Sequence, residues 1–468
     1  MMHKKIFILL PDGVGLRNFA YTNFYDLAKT EGFDVTFWND TPFDLKSLGF
    51  NEIRIENSKT HPVTNILKRV RVQIDLSRNV KKSHDAVYDT YRFGFSYKNL
   101  KEILRTLSIK SSIFLHSSEK GIRQVRKNII KREKTTDFYN SCLEILKIEK
   151  PDLVFCTNQR TVLAIAPIEA AKELGIPTAT FIFSWDNLPK ATMALETDYY
   201  FVWSDHMKNE LLFYYDYIRE DQVFVTGTPQ FEPHTYKNNI VSRDVFFAEY
   251  GLKAERKYIC YSGDDVTTSP NDAQYLADTA EAIKRLNAKG NDLGLIFRRC
   301  PVDFSDRYDT VLEKYKDIIA AIDPKWESSG GAWNSILPTK ADLDLQMNTI
   351  GHSEMVINLG SSMVFDFVSF GKPCAYINYD VKNSIRKNWS VKKIYNYVHF
   401  RSMPSKDVVV WLNNPEEIAA KIESALSRNG ETVREAQRWF ERINLHPVEN
   451  ASVRILQAFG KIIAQSKK

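Results

Sequence analysis

Apolar residues along this chain fall into short runs that end abruptly. The run Lys5–Leu10 is closed by Pro11-Asp12-Gly13, which predicts a buried strand followed by a loop over Pro11–Asn18. The spacing then predicts a helix to about Lys29, ended by Gly32, and a second strand at Phe33–Trp38. Residues 60–150 show no clear strand. They read as basic amphipathic helices with interruptions near Gly94 and Gly121. Beyond them the punctuation is regular. Strands at Asp152–Cys156, Thr178–Phe183, Tyr199–Trp203 and Val223–Thr226 alternate with helices at Thr161–Leu174 and Asp205–Tyr215. Gly175 reads as the C-cap of the first of these helices, with Pro177 beyond it.

Residues 230–245 are polar, contain Pro233, Asn238 and Asn239, and predict a linker. A second series follows, with strands at Tyr258–Tyr261, Leu293–Phe297, Met355–Asn358 and Cys374–Ile377. Its helices are expected at Asp272–Ala288, Asp342–Ile350, Val364–Phe370 and Glu416–Ser427, and Val433–Ala464 is expected to be largely helical. No repeat of 20–50 residues is present. Strands alternating with helices predict an α/β fold of two doubly wound, Rossmann-like parallel sheets. The expected boundaries are an N-terminal domain over 1–235 with a helical insert at about 60–150, a second domain over 236–430, and a C-terminal helical segment over 431–468.

Composition narrows the class. A chain of 468 residues with 43% hydrophobic and 26% charged residues is an ordinary globular protein, not a disordered or collagen-like one. Its longest apolar runs are far below the roughly 20 residues of a membrane span, and the N-terminal run is too short for a signal peptide. Five scattered cysteines without a Cys-x-x-Cys pair exclude a disulfide scaffold or zinc ribbon and suggest the cytoplasm. The net charge of +6 is uneven. Lys59–Lys150 holds 21 Lys and Arg against 9 Asp and Glu, a net +12, which leaves −6 for the rest. Such a segment is either a solvated helical face or a surface for an anionic partner. No nucleic-acid-binding module is recognisable, so the expected partner is an anionic membrane surface or a phosphate-bearing acceptor.

In open α/β sheets the ligand sits beyond the carboxyl ends of the strands, so those residues are the candidates. In the second half they are Ser262-Gly263-Asp264-Asp265, Arg298 and Asn358-Leu359-Gly360-Ser361-Ser362. A Gly-Ser-Ser turn feeding a helix presents backbone N–H groups and hydroxyls to a diphosphate, and Asp366, one turn on, suits ribose hydroxyls. The plainer reading makes the serines helix caps and Asp366 a solvated residue. In the first half the loop Asp12-Gly13-Val14-Gly15-Leu16-Arg17-Asn18 is half a dinucleotide fingerprint, with Asn18 in place of the third glycine. Asp12 and Asp186 follow strands and are candidates for a general base, or simple turn residues. Asp342-Leu-Asp344 cannot present both carboxylates to one ion from a helix, so it reads as N-terminal helix charge. The histidines, His234 and His352 included, form no metal-binding pair.

Three stretches carry a resemblance. "FSWDNLPKAT" (Phe183–Thr192), "VFVTGTPQFEPH" (Val223–His234) and "INLGSSMVFDFVSFGKPCAYI" (Ile357–Ile377) resemble GT-B glycosyltransferases. The likeness is to bacterial surface-polysaccharide transferases related to the CDP-glycerol glycerophosphotransferase and UDP-N-acetylglucosamine 2-epimerase groups. It implies two domains facing a cleft, with a nucleotide sugar bound by the second. Gly227, Thr228, Ser262, Gly263, Arg298, Gly360, Ser361, Ser362 and Asp366 then contact the donor. Arg17 and Asn18 then face acceptor or donor phosphates. The ribose-holding residue of the family is commonly Glu where Asp366 stands here, and Cys300 replaces the His of its Arg-x-His-Pro stretch. Asn358 stands eight residues before Asp366, so the Glu-x7-Glu pattern of retaining enzymes is missing and inversion is expected.

The expected function is transfer of a sugar from a nucleotide diphosphate donor to a glycan or lipid-linked glycan, without metal or other cofactor. The expected place is the cytoplasm, with peripheral contact at the inner face of the membrane. The rivals are a CDP-glycerol-type polyol-phosphate transferase, a nucleotide-sugar 2-epimerase, and a non-catalytic carbohydrate-binding protein on the same fold.

Overall fold

The computed structural model describes residues 4–236, 239–328 and 336–467. Asn238 of the predicted linker lies outside the described residues. The chain divides into two compact units, Met1–Pro229 with Leu445–Lys468, and Gln230–Asn444.

The first unit is built on seven strands: β1 (Lys4–Leu10), β2 (Phe33–Asn39), β3 (Glu52–Arg54), β4 (Leu153–Cys156), β5 (Thr178–Phe181), β6 (Tyr199–Val202) and β7 (Val223–Val225). All pair in parallel, in the order β3-β2-β1-β4-β5-β6-β7. The apolar runs follow from burial on both faces. On β4, Phe155 turns toward one layer, where its ring lies 5.3 Å from Phe19 and 4.9 Å from Phe459 of the Ala451–Ser466 helix. Val154 and Cys156 turn the other way and pack with Val70, Ile74, Val125 and Leu146. The basic insert therefore supplies the covering layer of one sheet face. Truncating Phe155 to Ala removes the hub of the opposite layer and costs about 3–5 kcal/mol.

The insert forms helices at Thr64–Ser83, Leu100–His116, Glu119–Glu133 and Asp137–Glu149. Side chains of Asn99, Ser118 and Thr136 cap the last three. The interruption near Gly121 falls at Ser117-Ser118. Gly121 itself sits in the first turn, where a Cβ would lie 2.5 Å from the His116 carbonyl oxygen.

The second unit repeats the plan. Its strands are β8 (Lys257–Ser262), β9 (Leu293–Arg298), β10 (Ile319–Ala321), β13 (Ser353–Asn358), β14 (Cys374–Ile377) and β15 (Val410–Leu412), ordered β10-β9-β8-β13-β14-β15 and all parallel. A small antiparallel hairpin, β11 (Glu327–Ser328) with β12 (Ile336–Leu337), stands apart. In both sheets the order reverses beside the first strand, between β1 and β4 and between β8 and β13. These are the topological switch points where such sheets take ligands.

The sequence pattern and the structure differ in places. The predicted linker at 230–245 begins in a 3-10 helix, Pro229–Thr235, and runs into a short α-helix, Arg243–Glu249. The helix expected to run to about Lys29 is two helices, Val14–Phe19 and Phe24–Thr30. Val433–Ala464 is split into Gly430–Ile443 and Ala451–Ser466, and the unit division at 444/445 falls in the break. The first of these packs rings against the second unit, with Trp439 4.8 Å from Phe365, while the other returns to the first sheet.

Candidate functional site

The first switch point is organised around Asp12. Its Oδ1 accepts the Val14 backbone N–H at 3.1 Å, and Oδ2 accepts from Asn158 Nδ2 at 2.6 Å and Thr161 Oγ1 at 3.1 Å. β1 delivers the aspartate, and the turn after β4 delivers its partners. Gly15 lets the following helix approach that turn, since a Cβ there would lie 2.4 Å from Thr157 Oγ1 and 2.6 Å from its Cβ. Burial pushes the Asp12 carboxyl above the usual carboxylate range, against the pull of its hydrogen bonds and of the Arg160 charge. Asp40, just beyond β2, is pushed up to about 6 by burial, opposed by Ser58 and Arg54 and reinforced by the Asp12 charge.

Positive charge gathers nearby. Lys68 Nζ lies 3.5 Å from the Arg160 carbonyl oxygen, and Arg160 N donates to Asn158 Oδ1 at 2.9 Å. Burial, with the Arg71 and Arg160 charges, pushes Lys68 down to about 8. Arg71 is 3% exposed, and its Nε and Nη2 have no hydrogen-bond partner among the described residues. Asp75, one turn on, is engaged by Arg126 at 3.3 Å. Arg17 is half-buried and Asn18 buried on the helix that follows Asp12.

Asp186 sits in a different setting. It accepts from Ser184 Oγ at 2.6 Å and Asn187 Nδ2 at 2.9 Å, and it is ion-paired with Lys190 one turn on. Its motif is tied to the end of β4 by Gln159, which accepts from Phe183 N at 3.3 Å and Ala194 N at 2.8 Å. In the turn after β7, Gly227 adopts φ +77°, which only glycine takes freely, and Thr228 is fully buried.

The second switch point lies between Ser262-Gly263 and the turn after β13. Gly360 has φ +69°, Ser361 N donates to Asn358 Oδ1 at 2.9 Å, and Ser362 is exposed. Tyr376 Oη donates to the Ser361 carbonyl at 2.8 Å, which fixes the loop. Gly263 passes close to Phe297 and Tyr308, whose atoms lie 3.1 Å from the position of a Cβ. Beside it, Asp264 is pushed up to about 8 by burial and by the Asp272 and Asp265 charges. Asp272 is buried and accepts from Tyr308 Oη at 2.7 Å and Ser269 Oγ at 2.9 Å.

Two donor candidates are engaged within the protein. Asp366 is buried and accepts from His234 Nε2 at 2.8 Å, so its carboxylate is not held open for a ribose. Arg298 gives Nη2 to both oxygens of Asp342, at 2.8 and 2.7 Å, while its buried Nη1 has no hydrogen-bond partner among the described residues. Asp342 is thus a salt-bridge acceptor at a helix start capped by Thr339. Among the described residues no three His, Cys, Asp or Glu side chains are grouped to hold a metal ion.

Asp40, Lys68, Asn158 and Arg160 join the sites without having been singled out from the sequence, whereas Asp264 was among the strand-end candidates. The strand-end rule points at Asp40, Asn158 and Asp264. Nothing local marks Lys68.

No protein-family model and no curated protein matches the chain. Solved structures do match. The architecture is the GT-B fold, two Rossmann-like α/β halves with parallel sheets. It is similar to a UDP-N-acetylglucosamine 2-epimerase (TM-score 0.54, 14% identity, covering 100% of this chain and 98% of that one). It is similar also to the S. aureus MnaA–UDP co-structure (TM-score 0.52, 14% identity, 99% and 98% covered). A glycosyltransferase from Rickettsia africae matches to the same degree (TM-score 0.52, 12% identity, 99% of each chain covered).

Proposed function

We propose that the protein is a nucleotide-sugar-dependent glycosyltransferase acting on a glycan or lipid-linked glycan, by inversion and without a metal. The observation that carries this reading is the repeated switch point, with polar strand ends in both sheets: Asp12, Asn158 and Thr161 in one, Gly263, Gly360 and Ser361 in the other. The S. aureus MnaA–UDP co-structure, a UDP-N-acetylglucosamine 2-epimerase and a glycosyltransferase share the fold. In this reading the second sheet takes the donor. The Gly360–Ser362 turn offers its two serine hydroxyls to the diphosphate, and Arg298 Nη1 adds positive charge where the leaving group gathers its negative charge.

Asp12 is the base. It takes the proton of the acceptor hydroxyl as that oxygen attacks the anomeric carbon, and the nucleoside diphosphate departs from the opposite face. Burial raises the Asp12 pKa and with it the basicity of its carboxylate, whereas Asp186 is ion-paired with Lys190. Lys68 and Arg160 supply charge for an anionic acceptor group beside it.

Epimerisation of a nucleotide sugar is the second reading, since a UDP-N-acetylglucosamine 2-epimerase shares the fold. The +12 insert favours the transferase, because a small free substrate does not require it. Thermal shifts with UDP, GDP, CDP and dTDP and their sugars identify the donor. The stabilising sugar nucleotide is then incubated alone. An epimerase converts it; a transferase releases nucleoside diphosphate only once an acceptor is added, and does so in EDTA. No stabilisation by any nucleotide would sink both readings.

A further inference from the structure

The Leu100–His116 helix of the insert turns its apolar side outward. Leu100, Leu104, Leu107, Phe114 and Leu115 are 72, 59, 53, 84 and 72% exposed. Isolated surface hydrophobics are ordinary, but five on one stripe are not. At about 100° per residue they share an arc of roughly 100°. Thr106 and Ile109, on the opposite side, are buried, so the helix is already docked by its other face. Phe93, in the loop before the helix, is 82% exposed as well.

Charge says what covers the stripe. Lys101 and Arg105 flank it on one side and Lys110 on the other, all exposed. Between Lys98 and Lys127 seven exposed Lys and Arg stand against one exposed acid, Glu119, which Arg78 holds at 2.6 Å. A symmetric dimer through this face would set like charges against each other, because both subunits present the same patch. An anionic bilayer meets both features: acyl chains take the leucines and phenylalanine, and headgroup phosphates take the flanking cations. No described helix is long and apolar enough to cross a membrane, so the contact lies in the interface plane.

We propose that the Leu100–His116 helix is an interfacial anchor by which the protein binds the surface of an anionic membrane. The inference rests on the exposed stripe and its charges, and it stands whether the enzyme is a transferase or an epimerase.

The test is flotation of the full chain with phosphatidylcholine vesicles, with and without phosphatidylglycerol, at low and high salt. Binding is expected only with phosphatidylglycerol and is expected to weaken in salt. Leu104→Gln with Phe114→Gln should weaken it about 100-fold or more, as expected for two large apolar side chains losing their contact. Both positions are exposed, so the fold is retained, and nucleotide-induced thermal shifts check it. Lys101→Glu with Arg105→Glu should remove most of the salt-sensitive part. Phe114→Trp should shift its emission to the blue on adding the anionic vesicles. Absence of binding, or binding with no blue shift at position 114, overturns the proposal. So does a wild-type dimer that the glutamine pair converts to a monomer without any vesicle effect.

Discussion

The two switch points share one topology and hold opposite chemistry. In the first, a single carboxylate, Asp12, is fixed by three donors, with Asp40 as its nearest acidic neighbour and Lys68 and Arg160 close by. In the second, three aspartates crowd together, and Asp272 is locked by Tyr308 and Ser269. Arg307 spans the crowd, donating Nε to Asp303 at 2.8 Å. A lone carboxylate raised by burial and flanked by cations is suited to accept a proton beside an anionic substrate. A locked cluster is suited to shape a loop, leaving the side chains of Ser361 and Ser362, half-buried and exposed, to meet a ligand. In the proposed reading the two sheets divide the work, with a carboxylate base in one and the hydroxyls of a glycine–serine turn in the other.

The sharpest way to break this division is at Asp12. Asp12→Asn should lower turnover about 100-fold or more while leaving nucleotide affinity unchanged, since it removes a base and keeps the shape. Asp186→Asn should change turnover little, because that carboxylate serves a turn with Lys190. Steady-state kinetics on both variants decide it. Equal loss in the two would dissolve the contrast between a poised and a paired carboxylate.

Next in size is the packing that holds Asp12 against β4. Gly15→Ala drives a methyl into Thr157 and Leu10, whose atoms lie 2.4–2.7 Å from its position. Overpacking of this kind costs about 1–3 kcal/mol, read as a lower midpoint in urea unfolding. The matching change in the second sheet, Gly263→Ala, meets its neighbours at 3.1 Å and should cost less.

How far these sites were legible depends on the range of the interactions that make them. β1 and β4 read directly from the chain because burial on both faces leaves an unbroken apolar run. β3, β10 and β15 are three residues each, too short for a periodic pattern, and β3 carries Glu52 and Arg54 among its positions. β3, β10, β7 and β15 are the sheet edges, where one side of the ladder is open and burial writes less into the sequence. Strand ends identified Asp12 and the Gly360–Ser362 turn, since connectivity alone puts them at a sheet edge. What spacing could not reveal was who already holds a residue. Asp366 is met by His234, 132 residues away, and Arg298 by Asp342, 44 residues away. Lys68 belongs to the first site only because the insert folds back over β4.

The donor half of the comparison is sharpened at the hydroxyls of Ser361 and Ser362. Replacing both by Ala should weaken nucleoside diphosphate binding by about 1–3 kcal/mol in calorimetry, the range for hydrogen bonds to charged groups. Lys68→Gln with Arg160→Gln should leave that affinity alone and raise the KM of an anionic acceptor. If the serine pair binds nucleotide like wild type, the donor contacts lie elsewhere in the second unit.

The smallest effect separates the two acid clusters by pH. A carboxyl raised in the folded state holds a proton that the unfolded chain releases. Its stabilisation is therefore complete below the unfolded value of 3.8 and is lost as pH rises through the folded value. For Asp40 that loss ends at about 6; for Asp264 it continues to about 8. Each such group contributes at most about 1.4 kcal/mol per pH unit within its window. Asn carries no ionisable proton but keeps the neutral shape. Asp40→Asn should thus flatten the fall in Tm between pH 4 and 6, and Asp264→Asn should flatten it on to pH 8. The second variant should melt higher than wild type at pH 8 and close to it at pH 4, measured by calorimetry across the series. A wild-type slope retained by Asp264→Asn above pH 6 would mean that this carboxyl ionises as freely as Asp40. The second cluster would then be a charged site rather than a neutral, locked one.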